Sequence, residues 1–234
     1  AAHAVGLSDP NPRVGCVIVG ADGRPAGRGH TQAAGGAHAE AMALRDAAAR
    51  GVDVRGATVY VTLEPCSHHG RTPPCADALV AAGVARVVIA LRDPNPLVSG
   101  RGAARLEAAG IAVEWDGGAE ESRELNIGFV SRMERGRPWL PLKAAVSLDG
   151  RTALADGTSQ WITGEAARAD GHAWRKRASA VLTGVGTVRE DDPRLDVRLV
   201  ASARQPLRVV VDSRLETPPG ARILAPPGSV LVFA

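Results

Sequence analysis

The stretch HAEAMALRDAAARGVDVRGATVYVTLEPC, residues 38–66, decides how the first half of the chain is organised. Residues 39–49, alanine-rich and amphipathic, predict a helix. Residues 58–63, led by β-branched and aromatic side chains, predict a strand that runs out at Pro65. His38 and Glu40 therefore stand at a helix entry, and Cys66 stands just past a strand end. Eight residues later comes Cys75, which Pro73 and Pro74 place at the start of another helix. One imidazole and two thiolates give Zn²⁺ three protein ligands and leave a fourth position open, the arrangement of a catalytic rather than a structural site. Iron accepts the same donors, so the metal's identity stays open at this point. Glu40, two residues past the imidazole, is placed to take a proton from water and pass it to a ring nitrogen and then to a departing amine. Singly, each residue has a plain structural reading: a helix-capping His, small core cysteines, a first-turn acid favoured by the helix dipole. The ordered set favours the metal reading.

Working outward, strands are expected at 14–19, 84–91 and 111–114, and helices at 76–82, 102–109 and 120–134. Cys16 lies in an apolar run and reads as core. Strands alternating with helices predict an α/β sandwich, a mostly parallel or mixed sheet covered on both faces. The polar run Arg135, Gly136, Arg137, Pro138 marks a boundary, giving a first domain at 1–136 and a second at 137–234. The second is also α/β, with strands expected at 139–146, 180–183, 207–211 and 230–234, a helix at 165–176 and an irregular Pro/Gly-rich loop at 217–228. It reads as C-terminally incomplete.

The 234 residues are 45% hydrophobic and 23% charged, within the ordinary globular range, with no apolar stretch long enough for a membrane span. A cytoplasmic protein is expected, since no secretory leader is apparent. A sequence pI near 9.1 hints at nucleic acid, but the net charge is only +3, the basic residues are scattered and aromatics make up 3%. No nucleic-acid partner is expected. Three cysteines argue for metal or catalytic use over a disulfide framework.

Zinc deaminases of nucleobases carry H-x-E followed by P-C-x-x-C; here the first half matches and the cysteine spacing is longer. The segments PNPRVGCVIV (10–19), HAE (38–40), VTLEPCSHHGRTPPCADAL (61–79) and DPNPLVSGRG (93–102) resemble the bifunctional deaminase/reductase family of riboflavin biosynthesis, whose deaminase has a cytidine deaminase-like fold and this wider spacing. GRPWLPLKAAVSLDGRTA (136–153), SQWITG (159–164), LTGVGTVREDDPRLDVR (182–198) and VVVDSR (209–214) continue the resemblance into a domain similar to dihydrofolate reductase.

The resemblance implies a small-molecule substrate, a diaminopyrimidinone bearing a ribosylamino 5′-phosphate, deaminated on its ring, followed by NADPH-dependent reduction of the ribosyl group to ribityl. It implies pyrimidine contacts at Asn11, His68 and Arg71, nicotinamide-cofactor contacts at Ala145, Trp161, Thr187 and Asp191, and sugar-phosphate contacts at Ser159, Arg175, Leu195 and Arg198. Arg175 and Arg198 have the charge a phosphate requires. A homo-oligomer is also implied. Because no Gly-rich phosphate-cradling turn follows 230–234, this chain is expected to deaminate but to reduce poorly. Two other readings compete: a zinc deaminase of another base (guanine, cytidine or a tRNA base), and a zinc module whose metal only stabilises the fold. Glu40 separates catalysis from the second of these, and the reductase-like segments argue against the first.

Overall fold

The computed structural model describes residues 1–68 and 73–234, which divide into two units, Ala1–Trp139 and Leu140–Ala234. The first unit is built on a five-stranded sheet of order β2-β1-β3-β4-β5, with β1 Gly15–Val19, β2 Pro25–His30, β3 Thr58–Val61, β4 Arg86–Ile89 and β5 Ala112–Trp115. β1 runs antiparallel to both β2 and β3, and β3, β4 and β5 are parallel. Three helices, α1 Ala39–Ala49, α2 Cys75–Ala81 and α3 Arg101–Ala108, bury Ala39, Ala43, Ala76, Leu79, Ala103 and Leu106. They share one core with Cys16, Ile18, Val59, Val61, Val87 and Ile89, the alternate residues that three central strands turn to the same face. Cys16 is thus core, as its apolar run predicts.

Two features of the first unit depart from the sequence reading. β2, whose sequence PAGRGH lacks branched and aromatic residues, is a strand because β1 supplies the hydrogen-bonding partner and α1 lies directly on it. A Cβ on Gly27 would come within 2.2 Å of the Ala43 carbonyl oxygen, and one on Gly29 within 2.2 Å of that of Ala39. Only glycine permits that approach. The helix expected at 120–134 is two helices, α4 Ala119–Leu125 and α5 Ile127–Arg135, broken at Asn126. The buried Asn126 side chain accepts from the Arg13 N–H at 2.7 Å and donates to the Arg13 and Ser122 carbonyls. A tie to the N-terminal loop thereby interrupts the helix.

The second unit has a three-stranded parallel sheet, β6 Ala180–Gly184, β7 Leu207–Val211 and β8 Val230–Phe233, in that order, with α6 Glu165–Arg177 and α7 Val185–Asp191. Its core is Val188, Val210, Ala221 and Ile223. The strand expected at 139–146 is not formed: the segment pairs with no strand, and Leu140 and Leu142 are 81% and 96% exposed. An extended apolar run becomes a strand only where a neighbour offers an edge. No helix among the described residues is long and apolar enough to cross a membrane.

Candidate active site

Three chain segments meet at the C-terminal end of β3. His38 is the N-cap residue of α1, Cys66 lies five residues past the last residue of β3, and Cys75 is the first residue of α2. Their donor atoms all lie within 4.8 Å of one another. Ligand bonds of about 2.0 Å to nitrogen and 2.3 Å to sulfur at a tetrahedral angle hold the two donors about 3.5 Å apart. His38 Nδ1 stands 3.6 Å from Cys66 Sγ and 3.4 Å from Cys75 Sγ. The residues present therefore fit a tetrahedral zinc ion with one position left for a non-protein ligand.

The electrostatics suit that charge. The Cys75 thiol, then the His38 ring and the Cys75 N–H at 3.3 Å, hydrogen-bond Cys66 and hold its thiol down at about 4. Cys75, donating to that anion and buried, is pushed up. The hydrogen bond with Cys66 raises His38. Glu40, one residue into α1 from the first helical position, is 3% exposed, and burial pushes its carboxyl up to about 7. A carboxyl poised near neutrality can both accept and return a proton.

Of the other expected deaminase residues, Asn11 lies in the turn before β1, its N–H donating to the Ser8 carbonyl. His68 is exposed two residues past Cys66, and its charge acts on Asp93. Arg71 lies outside the described residues.

The sequence reading passed over Glu64 and Asp93. Glu64 is 3% exposed and its two carboxylate oxygens accept four backbone N–H groups, from Asp93, Gly100, Gly102 and Ala103, at 3.0–3.3 Å. It ties the Cys66 segment to the loop that leads into α3. Asp93, buried and pushed up to about 6 chiefly by burial, accepts from the Asn95 N–H. Both stand inside motifs quoted above, but the amides that Glu64 binds are distant from it in sequence.

In the second unit, Ser159 Oγ donates to Asp191 at 3.1 Å, and the Arg168 guanidinium lies 4.6 Å over the ring of Trp161, which is 69% exposed. Thr187 and Asp191 lie on α7, which starts where β6 ends. That is the edge at which open parallel sheets receive ligands. Ala145 is half-buried in the extended segment before Ser147. Leu195 has left-handed backbone, φ 52°, and packs on the second core. Arg175 and Arg198 are brought together with Asp196 and the buried His172, which the sequence reading did not single out.

Residues 1–91 match the family described as the cytidine and deoxycytidylate deaminase zinc-binding region, and residues 138–234 the RibD C-terminal domain. The chain is 52% identical over 231 residues to the riboflavin biosynthesis protein RibD of Escherichia coli K12, covering 94% of this chain and 62% of that protein. It is 48% identical to RibD of Aquifex aeolicus, covering 94% and 60%. The chain belongs to the RibD family.

Solved RibD structures agree: Acinetobacter baumannii RibD superposes with a TM-score of 0.88 at 49% identity, covering 98% of this chain and 65% of that one. A Thermotoga maritima diaminohydroxyphosphoribosylaminopyrimidine deaminase/5-amino-6-(5-phosphoribosylamino)uracil reductase gives 0.93 at 42% identity, covering 100% and 66%. The fold is thus a cytidine deaminase-like unit followed by a RibD C-terminal unit, both α/β, and the chain spans about six tenths of the length of the curated RibD relatives.

Proposed function

We propose that the first unit hydrolytically deaminates a diaminopyrimidinone ribosylamino 5′-phosphate and that the second reduces the ribosyl group of the product, two successive steps of riboflavin biosynthesis. The carrying observation is the convergence of His38, Cys66 and Cys75 donors within 4.8 Å beside the buried Glu40 carboxyl. Zinc held by those three residues would supply Lewis acidity, making water a nucleophile near neutral pH. Glu40 takes one proton from the attacking water and delivers it to the ring nitrogen next to the carbon under attack, then takes the remaining proton from the added hydroxyl and gives it to the amine as the C–N bond breaks. Burial, which pushes its carboxyl up to about 7, suits it to both directions. His68 and Asn11 would contact the pyrimidine, and Arg71 its phosphate.

For reduction, Ala145, Trp161, Thr187 and Asp191 would hold NADPH, which supplies hydride, and the exposed Trp161 face offers a stacking surface. Ser159, Leu195, Arg175 and Arg198 would bind the sugar phosphate, the two guanidiniums meeting its charge. We place the domain boundary at 136/137 and take the protein to act as a cytoplasmic homo-oligomer on this small molecule without nucleic acid, as its family suggests; sedimentation would check the assembly. Metal analysis coupled to ammonia release from the aminopyrimidine phosphate tests the central proposal. Zinc near one equivalent with ammonia release supports it, and release from guanine, cytidine or tRNA in its place replaces it.

A further inference from the structure

The loop that carries Asn11 reaches the metal end of the first sheet. It leads into β1 at Gly15, whose N–H donates to Thr62 Oγ1 and whose carbonyl accepts from the Thr62 N–H, where β3 gives out toward Cys66. On its other side Gly15 pairs with His30, the last residue of β2, on the chain that goes on to His38.

Three side chains hold the loop's backbone. The buried Ser8 hydroxyl donates to the Asn11 carbonyl at 3.1 Å, and the Asn11 N–H donates to the Ser8 carbonyl at 2.9 Å. The Val14 N–H donates to Thr31 Oγ1 at 3.2 Å, and the Val14 carbonyl accepts from the Thr31 N–H at 3.0 Å. Pro12 has no N–H to give, so the Arg13 amide is the one backbone donor between Asn11 and Val14. Both backbone groups of Arg13 go to a single side chain. Asn126 Oδ1 accepts from its N–H at 2.7 Å, and Nδ2 donates to its carbonyl at 3.2 Å.

The break between α4 and α5 serves this contact. An asparagine at a helix start ordinarily caps the helix through its side-chain oxygen. Asn126 makes no cap bond to α5; its oxygen goes to Arg13, and its other amide proton goes to the Ser122 carbonyl at 3.0 Å. The Leu125 carbonyl, at the end of α4, accepts from Arg13 Nη1 at 2.8 Å. Loop and helix break therefore clasp each other in both directions. Asparagine supplies an acceptor and two donors on one planar group, whereas aspartate keeps only the acceptors and alanine neither.

We propose that Asn126 is a positioning residue of the deaminase site: by holding both backbone groups of Arg13, it sets where Asn11 meets the pyrimidine. The inference rests on the assignment of Asn11 to that substrate.

The test is ammonia release from the diaminopyrimidinone ribosylamino phosphate by the full chain, as wild type, N11A, N126A and N11A/N126A, with zinc measured on each preparation. N126A is expected to raise KM about tenfold. Its kcat should stay within about twofold of wild type at unchanged zinc, the signature of lost substrate binding. In the double variant KM should rise no further than in N11A, because Asn126 then has no contact left to place. A raised KM in N11A with wild-type KM in N126A, or single effects that multiply in the double variant, overturns the positioning role and leaves the Asn11 assignment standing. Unchanged KM in N11A overturns that assignment and the inference with it, and a wild type that releases no ammonia overturns the deaminase reading beneath both. Where N126A loses zinc, N126D decides, since it keeps the volume and an acceptor for the Arg13 N–H but removes the donor to the Arg13 carbonyl. A raised KM at full zinc in N126D supports the proposal; unchanged KM, or loss of zinc there too, overturns it.

Discussion

His38 Nδ1 lies 3.4 Å from Cys75 Sγ although 37 residues separate them. The contact exists because α1 and α2 begin at the same end of the sheet, each presenting its first turn where β3 gives out. Two helix starts and one strand end make a three-sided socket.

Removing one wall of that socket should empty it. Cys75→Ala leaves one thiolate and one imidazole, and is expected to lower metal affinity by about a hundredfold or more, beyond the losses typical of outer-shell changes. Dialysis against a chelator followed by elemental analysis reads this out. Retention of a full zinc equivalent would remove Cys75 from the ligand set.

Glu40→Gln keeps volume and burial but cannot carry a proton. Zinc content should match wild type while the ammonia-release kcat falls by about 10²–10⁴-fold. The two numbers must come from one preparation, since loss of both would indicate a structural defect instead. Wild-type turnover in the variant would exclude Glu40 from proton transfer.

Gly29→Ala tests how the site is supported. The added methyl would lie 2.2 Å from the Ala39 carbonyl and 2.5 Å from the Ala43 nitrogen, both α1 backbone. The helix carrying His38 and Glu40 must move outward, and a loss of about 1–3 kcal/mol is expected together with reduced zinc retention. Urea unfolding and metal analysis measure the two effects.

Glu64→Gln replaces one carboxylate oxygen with a donor that faces two of the four N–H groups now satisfied. A cost of about 2–3 kcal/mol is expected, and the amides of Gly100 and Gly102 should exchange faster with deuterium. Unchanged exchange there would show that the loop is held by something else.

His172 gives a pH signature. Its folded value of about 4 lies below its unfolded one, so between the two the unfolded chain binds more protons and stability rises with pH. The contribution is full above about 6.5 and lost as pH falls toward about 4. His172→Gln should flatten this part of the profile for the second unit in denaturant unfolding followed from pH 4 to 7. An unchanged slope would mean that the ring is not held neutral.

Much of the first unit can be read directly from residue order. The helix at 39–49 coincides with Ala39–Ala49, and each strand expected in that half has an observed counterpart, because alternation and helical periodicity record which face each segment buries. β2 escaped because glycine and arginine carry no such record. The strand expected at 139–146 failed for the converse reason, an apolar run without an edge to join. At the site, His38, Cys66, Cys75 and Glu40 were legible because metal chemistry restricts residue type as well as spacing. Glu64, Asp93 and His172 were not, since an acid or a lone histidine means nothing until its partners are known.

Residue order alone determined the α/β character, the metal-ligand set and the proton carrier, all properties of side-chain chemistry and short-range periodicity. Tertiary structure decided that donors 37 residues apart come within 3.4 Å, that Glu64 is ringed by four amides from a remote loop, and that both nitrogens of His172 meet N–H groups. Those facts depend on which segments the sheet brings together, and hydrogen bonds and Coulomb forces act over ångströms in space whatever the separation along the chain.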